Sequence, residues 1–332
     1  MRNVYMDYSA TTPVKEEVVK EMIPYLTEKF GNPSSLYGPG LEAKEGLNKA
    51  RQQVADLINA EEREIYFTSC GTEADNWVIE GVADAFKNKG NHIITTKIEH
   101  HAILHTLNRL EKEGYEVTLL PVHEDGLVRP EELEAAIRED TCLVSIMYAN
   151  NEIGTVQPIH EIGEICKKHG VLFHTDAVQA VGHVKIDVKA DNIDMLSASA
   201  HKFHGPKGTG FLFARKGIAL TNLIEGGAQE KGKRAGTENV PGIMAMAAAL
   251  KEAAGNLEQN AAHQTALRDR LIEGLSKIPH SALNGDAKKR LPGNVNFCFE
   301  GIEGESLLLL LDDRGISASS GSACTSGSLD PS

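Results

Sequence analysis

The sequence predicts an α/β fold: a mostly parallel sheet of seven strands, covered by helices, in a large domain followed by a smaller region. Three observations carry that prediction. Seven short apolar runs recur between about residues 62 and 215: "EIYFTS", "HIITTK", "EVTLLPV", "CLVSIMYAN", "VLFHTDA", "DMLSASA" and "GFLFAR". Runs of this kind fit strands buried on both faces, as in a parallel sheet. Between several of them lie stretches of helical periodicity, such as "EADNWVIEGVADAFKNKG" and "PIHEIGEICKKHG", each ending in a helix-stopping glycine. One junction differs: "SASAHKFHGPKGTGFLFARK" joins two strands through a short glycine-rich link, which suits an antiparallel pair.

Downstream, "PGIMAMAAALKEAAGNLEQNAAHQTALRDRLIEGLSKI" reads as one helical run over 241–278. It leads into a second region containing "GNVNFCFEG" and "ESLLLLLDDRG". Segment 317–328, "SASSGSACTSGS", surrounds one cysteine with Ser, Ala, Gly and Thr. Side chains so small offer no packing anchor, so a mobile surface loop is expected. The end at "LDPS" reads as an interruption rather than a natural terminus.

A chain of 332 residues suits one large domain plus a smaller one. With 34 Lys and Arg against 47 Asp and Glu, the net charge is −13. That argues against a nucleic-acid backbone or an anionic membrane as main partner, and a small anion would need a local positive site. Cys70, Cys142, Cys166, Cys298 and Cys324 form no C-x-x-C pair, and an odd scattered set fits a reducing cytoplasm. The runs "LLLLL" and "IMAMAAAL" are too short to span a bilayer, and the start "MRNVYMDYSATTP" lacks a signal-peptide core. A soluble, cytoplasmic protein is expected.

Several strand ends carry residues able to do chemistry. Gly71-Thr72 in "FTSCGTEADN" stands between a strand and a helix, where N–H groups and a hydroxyl can hold an anion. An ordinary turn capped by Thr72 accounts for it equally. Asp176 ends "VLFHTD", at the sheet edge where open α/β folds bind ligands, or else it caps a helix. Lys202 closes the apolar run "IDMLSASAHK", and an amine withdrawn from water becomes a competent nucleophile. Phosphate site, acid and lysine together match the needs of pyridoxal phosphate. In "KIEHHAIL", one of His100 and His101 can stack on a flat ring and move protons, the other being a surface histidine. "HKFH" and "HH" offer four imidazoles to a metal, but no H-E-x-x-H or Cys/His pairing accompanies them. Cys324 is an unpaired thiol in a Ser/Gly segment, either a stray residue or a carrier on a tether.

In order along the chain, "YMDYSATTP", "GNPSS", "GTEADN", "EHHAIL", "NNEIGTVQP", "HTDAVQA", "SAHKFHGPKGTG", "GGAQEKGKRAGTEN" and "SSGSACTSGSLDPS" closely resemble the cysteine desulfurases of the NifS/IscS class. These are pyridoxal-phosphate enzymes of the aspartate-aminotransferase fold (fold type I). The resemblance implies a large cofactor domain over 13–257 and a small, C-terminally incomplete α+β domain from 1–12 and 258–332. It implies that Lys202 holds the cofactor and deprotonates the substrate, and that Asp176 binds the ring nitrogen. Gln179 would bond the ring hydroxyl, with Asn151 beside the ring. Gly71, Thr72, Ser199 and His201 would hold the phosphate, and Thr237 would reach the phosphate of a neighbouring subunit, making a homodimer. His100 would be the stacking histidine. Cys324 would take sulfur from L-cysteine, leaving L-alanine and a persulfide, for an iron–sulfur scaffold or another acceptor protein. Its persulfide is the one expected metal contact, as a transient iron–sulfur ligand.

Two positions depart from the family pattern: Tyr37 stands where a histidine is common, and the downstream arginine that grips the substrate carboxylate is absent. A selenocysteine lyase or cystine-cleaving relative is the nearest rival. A non-catalytic, partner-binding scaffold is the rival from another class.

Overall fold

The computed structural model describes residues 3–321. After a short strand β1 (Val4–Tyr5) come helices α1 (Glu16–Thr27) and α2 (Gly38–Leu57). Strands and helices then alternate: β2 (Ile65–Thr68), α3 (Gly71–Phe86), β3 (His92–Thr96), α4 (His101–Lys112), β4 (Glu116–Leu120), α5 (Pro130–Ala136), β5 (Thr141–Ser145), α6 (Ile159–His169) and β6 (Leu172–Asp176). β7 (Met195–Ser199) and β8 (Gly210–Ala214) follow without an intervening α-helix.

These strands form one sheet in the order β2-β8-β7-β6-β5-β3-β4. β8 runs antiparallel to both neighbours, and the other pairings are parallel. The antiparallel link expected after "SASAHK" is therefore present. Every residue of β3, β5, β7 and β8 is buried, which is why these runs are apolar rather than alternating. α2 and α6 bury Val54, Ile162 and Cys166 against one face. α3 and α4 bury Trp77, Val78, Ile103 and Leu107 against the other.

The run expected as one helix over 241–278 is two: α7 (Val240–Gly255) and α8 (Leu257–Leu275). They part at Asn256, whose side chain turns back to the Glu252 carbonyl at 3.0 Å and competes with helix continuation. Beyond lie β9 (Ser281–Leu283), β10 (Phe297–Phe299), α9 (Gly304–Asp312) and β11 (Ile316–Ser317). β9 pairs antiparallel with β10, and β11 pairs parallel with β1, joining the first and last of the described strands. No helix among the described residues is long and apolar enough to cross a membrane.

Candidate active site

Asp176 closes β6 in register with Ser197 of β7, and β7 continues into a tight turn over Ala200–Lys202. Both functional groups are withdrawn from water, Asp176 to 6% exposure and Lys202 to 5%. The Lys202 Nζ donates to the Ser9 carbonyl in a short contact and to the Ala10 carbonyl at 2.9 Å. Those acceptors lie in the segment before α1. Thr12 fastens that segment by donating its N–H and its hydroxyl to the His201 carbonyl, at 2.9 and 2.8 Å. A buried amine is tolerated when hydrogen-bonded in this way. Gln179, also buried, donates its Nε2 to the same Ser9 carbonyl at 3.0 Å.

Burial pushes the Asp176 carboxyl up. A Val178 N–H at 2.9 Å and the charges of His100 and Lys202 pull it back. Close by are two further buried acids. Burial raises Asp75, and the neighbouring Asp176 and Glu99 raise it further. Burial likewise pushes Glu99 up to about 8, although its Oε1 accepts the Thr96 hydroxyl at 2.7 Å and the Met147 N–H at 3.0 Å. His174 is fully buried between Ser145 Oγ at 2.9 Å and Ser197 Oγ at 3.0 Å, and burial holds it down to about 3. Three buried carboxyl groups that raise one another cannot all ionise cheaply. Of the three, Asp176 is the one whose rise His100 and Lys202 oppose.

Cys70, not Thr72, caps α3, and no side chain satisfies the helix's first N–H groups. The cap reading of Thr72 is thereby corrected: Thr72 is an exposed residue inside the first turn of the helix. A Cβ on Gly71 would lie 2.5 Å from Val178 Cγ2 and 3.6 Å from Ser199 Cβ. The start of α3 thus packs directly on Val178, close to Ser199, with no room for a side chain at Gly71. His201 Nδ1 meets Thr11 Oγ1 at 3.1 Å, and burial drops that imidazole to about 4, ahead of the effects of Lys202 and Lys207.

His100 caps α4, its Nδ1 accepting the Ala102 N–H at 3.1 Å. The neutral ring therefore carries its proton on Nε2. Burial lowers its pKa and Asp176 opposes that shift. His101 is exposed, its ring stacked on His105 at 4.9 Å. Asn151 is half-buried in a turn whose backbone is held by Asn150 Oδ1, which accepts the Glu152 and Ile153 N–H groups at 2.9 Å. Thr237 is exposed on the segment after β8. Cys324 lies outside the described residues.

Sequence reasoning missed the Ser9 and Ala10 carbonyls, because a backbone acceptor has no sequence signature. It also missed Asp75, Glu99 and His174. All three stood inside quoted motifs, "GTEADN", "EHHAIL" and "HTDAVQA", where an ionisable residue among buried neighbours was the available signal.

The model of the aminotransferase class-V family matches residues 4–331. A cysteine desulfurase IscS of Methanosarcina thermophila is 61% identical over 329 residues, covering 99% of this chain and 81% of that protein. The chain is a cysteine desulfurase by family. Relatives of solved structure share its fold. A NifS-like protein has a TM-score of 0.94 at 43% identity, over 96% of this chain and 87% of that one. The structure described as SspA in complex with cysteine has a TM-score of 0.84 at 36% identity, over 95% and 88%. Desulfurases of this family depend on pyridoxal phosphate. The donor set here fits that group: helix N–H groups that no side chain caps, close to Ser199, for the phosphate, a buried acid for a ring nitrogen, and a buried amine for an aldehyde.

Proposed function

We propose that this chain removes sulfur from L-cysteine at the ends of β6 and β7, giving L-alanine and a persulfide on Cys324. The observation that carries the assignment is the placement of two buried groups, Asp176 at the end of β6 and Lys202 in the turn after the adjacent β7, together with a helix start that no side chain caps. Bound pyridoxal phosphate supplies the electron sink that lets the substrate's Cα–H and Cβ–S bonds break.

The chain's own residues do the rest. Gly71, Thr72, Ser199 and His201 would hold the phosphate, and Asp176 would face the ring nitrogen as a carboxylate. Gln179 would turn from Ser9 to the ring hydroxyl, with Asn151 near the substrate carboxylate. Lys202 would hold the aldehyde, and its freed Nζ is placed to take the Cα proton. His100, protonated on Nε2 when neutral, would exchange that proton with substrate or thiol. Thiolate Cys324 attacks the substrate sulfur: an S–S bond forms, the Cβ–S bond breaks, and its electron pair goes to Cβ, which a proton then completes to alanine. The persulfide would pass to an acceptor thiol or an iron–sulfur scaffold, with Cys324 as a transient cluster ligand.

A cytoplasmic homodimer fits this chemistry, with Thr237 serving the phosphate of the second copy. Exposed Phe30, Leu36, Tyr37 and Leu41, between the end of α1 and the start of α2, support a second copy as their cover. The test is mass spectrometry after brief exposure to L-cysteine. One added sulfur on the Cys324 peptide is expected, and sulfur on another cysteine overturns the assignment.

A further inference from the structure

We infer that the buried Arg51–Glu230 ion pair is a positioning device acting across the subunit boundary, by fixing the segment that carries Thr237. The inference rests on the proposed homodimer and on the role given there to Thr237.

The segment "EGGAQEKGKRAGTEN", 225–239, holds four glycines, which leave a chain free to adopt many conformations. Between them two successive non-glycine residues take left-handed backbone angles: Glu230 at φ 45°, ψ 46° and Lys231 at φ 61°, ψ 30°. Such angles persist only where the surroundings over-determine them. Here they do. Glu230 is 5% exposed, and each of its oxygens accepts from Arg51 at 2.7 Å. Its Oε2 also accepts the Phe67 N–H at 2.9 Å. Arg51, from α2, lies 4.3 Å over the Phe67 ring and donates to the Ile65 carbonyl at 2.8 Å. Lys231 Nζ reaches the Arg63 and Ile65 carbonyls at 2.8 and 3.0 Å. The turn is pinned to α2 and to β2 at once.

A second tie follows three residues before Thr237. Arg234 Nε donates to Glu73 Oε1 at 2.9 Å, in the first turn of α3 and next to Thr72. Glu73 in turn accepts the Ser69 N–H at 3.1 Å, so this carboxylate is engaged rather than aimed at an incoming phosphate. Two ion pairs thus bracket a strained turn, and the chain beyond them emerges with Thr237 exposed. A buried ion pair adds little stability over well-packed apolar residues, so its main effect is geometric. What the geometry determines is where Thr237 stands.

Mixed dimers of two differently tagged full chains test this. One chain carries Lys202→Ala, so only the other can link pyridoxal phosphate to a lysine and show the visible band of that link. Glu230→Gln is then placed either on the Lys202→Ala chain or on the intact-lysine chain. Both dimers contain the same substitutions, so a folding loss weakens them alike. Band loss after dilution into a cofactor trap should be about tenfold faster when Glu230→Gln sits on the Lys202→Ala chain, the scale of one weakened charged contact. The other arrangement should release cofactor like the dimer with Lys202→Ala alone. Equal rates, or the faster rate with the lesion on the intact-lysine chain, overturn the inference. If Glu230→Gln chains do not assemble, Glu230→Asp is read in the same two arrangements, to the same criteria. Thr237→Ala, placed both ways, separates this from the reading beneath it. An unsided Thr237 effect means the cross-subunit assignment fails; a sided one with an unsided Glu230 effect sinks the ion-pair inference alone.

Discussion

Lys202 and Gln179 donate to one acceptor, the main-chain carbonyl of Ser9, 193 and 170 residues away in the chain. The segment before α1 therefore holds in place both the buried amine and the amide beside it. A ligand that takes the Lys202 amine competes for it with the Ser9 and Ala10 carbonyls. This couples the N-terminal segment to whatever binds at the ends of β6 and β7.

Lys202→Ala should abolish the lysine link to pyridoxal phosphate. Borohydride reduction and peptide mapping of the unaltered protein should place the pyridoxyl group on Lys202. A label on Lys207, which is exposed and five residues along, would move the assignment there.

Asp176→Asn should retain cofactor but lose turnover. Loss of a charge-assisted contact costs about 1.5–3 kcal/mol, which is about ten- to a hundredfold in rate. Single-turnover alanine release is the measurement, and an unchanged rate reduces Asp176 to a cap for Val178.

Gly71→Ala should weaken retention of pyridoxal phosphate by about tenfold, ~1.4 kcal/mol, because the new Cβ would meet Val178 Cγ2 at 2.5 Å and push the start of α3 out of place. Retention of pyridoxal, which lacks the phosphate, should change less. Equal losses for the two compounds would put the phosphate elsewhere.

Glu99 should make stability fall as pH rises from the acidic range to about 8. Its folded pKa of about 8 stands above the ordinary 4.5, so the native state keeps a proton that the unfolded chain releases. The contribution is fully present below 4.5 and falls by about 1.4 kcal/mol per pH unit above it. It is lost once pH passes about 8. Glu99→Gln cannot titrate and should flatten this decline, read as urea midpoints at about pH 5.5 and 8.5. Parallel curves for the two proteins would show that Glu99 holds no such proton.

Cys324→Ala should still bind cofactor and L-cysteine yet release neither alanine nor sulfide, because the thiol is needed only after proton transfer at Cα. Cys142 and Cys166 are buried, and burial raises both thiols, so their replacement should leave persulfide formation intact. Alanine release by Cys324→Ala at the unaltered rate would remove the persulfide step.

The sequence by itself determined the sheet, its antiparallel link and the position of Asp176 at a strand end, while Lys202, expected at a strand end, stands in the turn just after β7. Those features are local: apolar runs record burial on both faces, and a polar residue ending such a run records the edge of the sheet. Only the tertiary structure decided which groups those residues meet. Ser9 and Ala10 reach Lys202, Glu230 reaches Arg51, and Asp75 and Glu99 share a buried field with Asp176. Partners so far apart along the chain leave no periodic trace, because a hydrogen bond or an ion pair depends on approach in space rather than on spacing in sequence. The break at Asn256 lies between the two cases. Its helical pattern continues through the site, while one side-chain hydrogen bond to the Glu252 carbonyl interrupts the backbone.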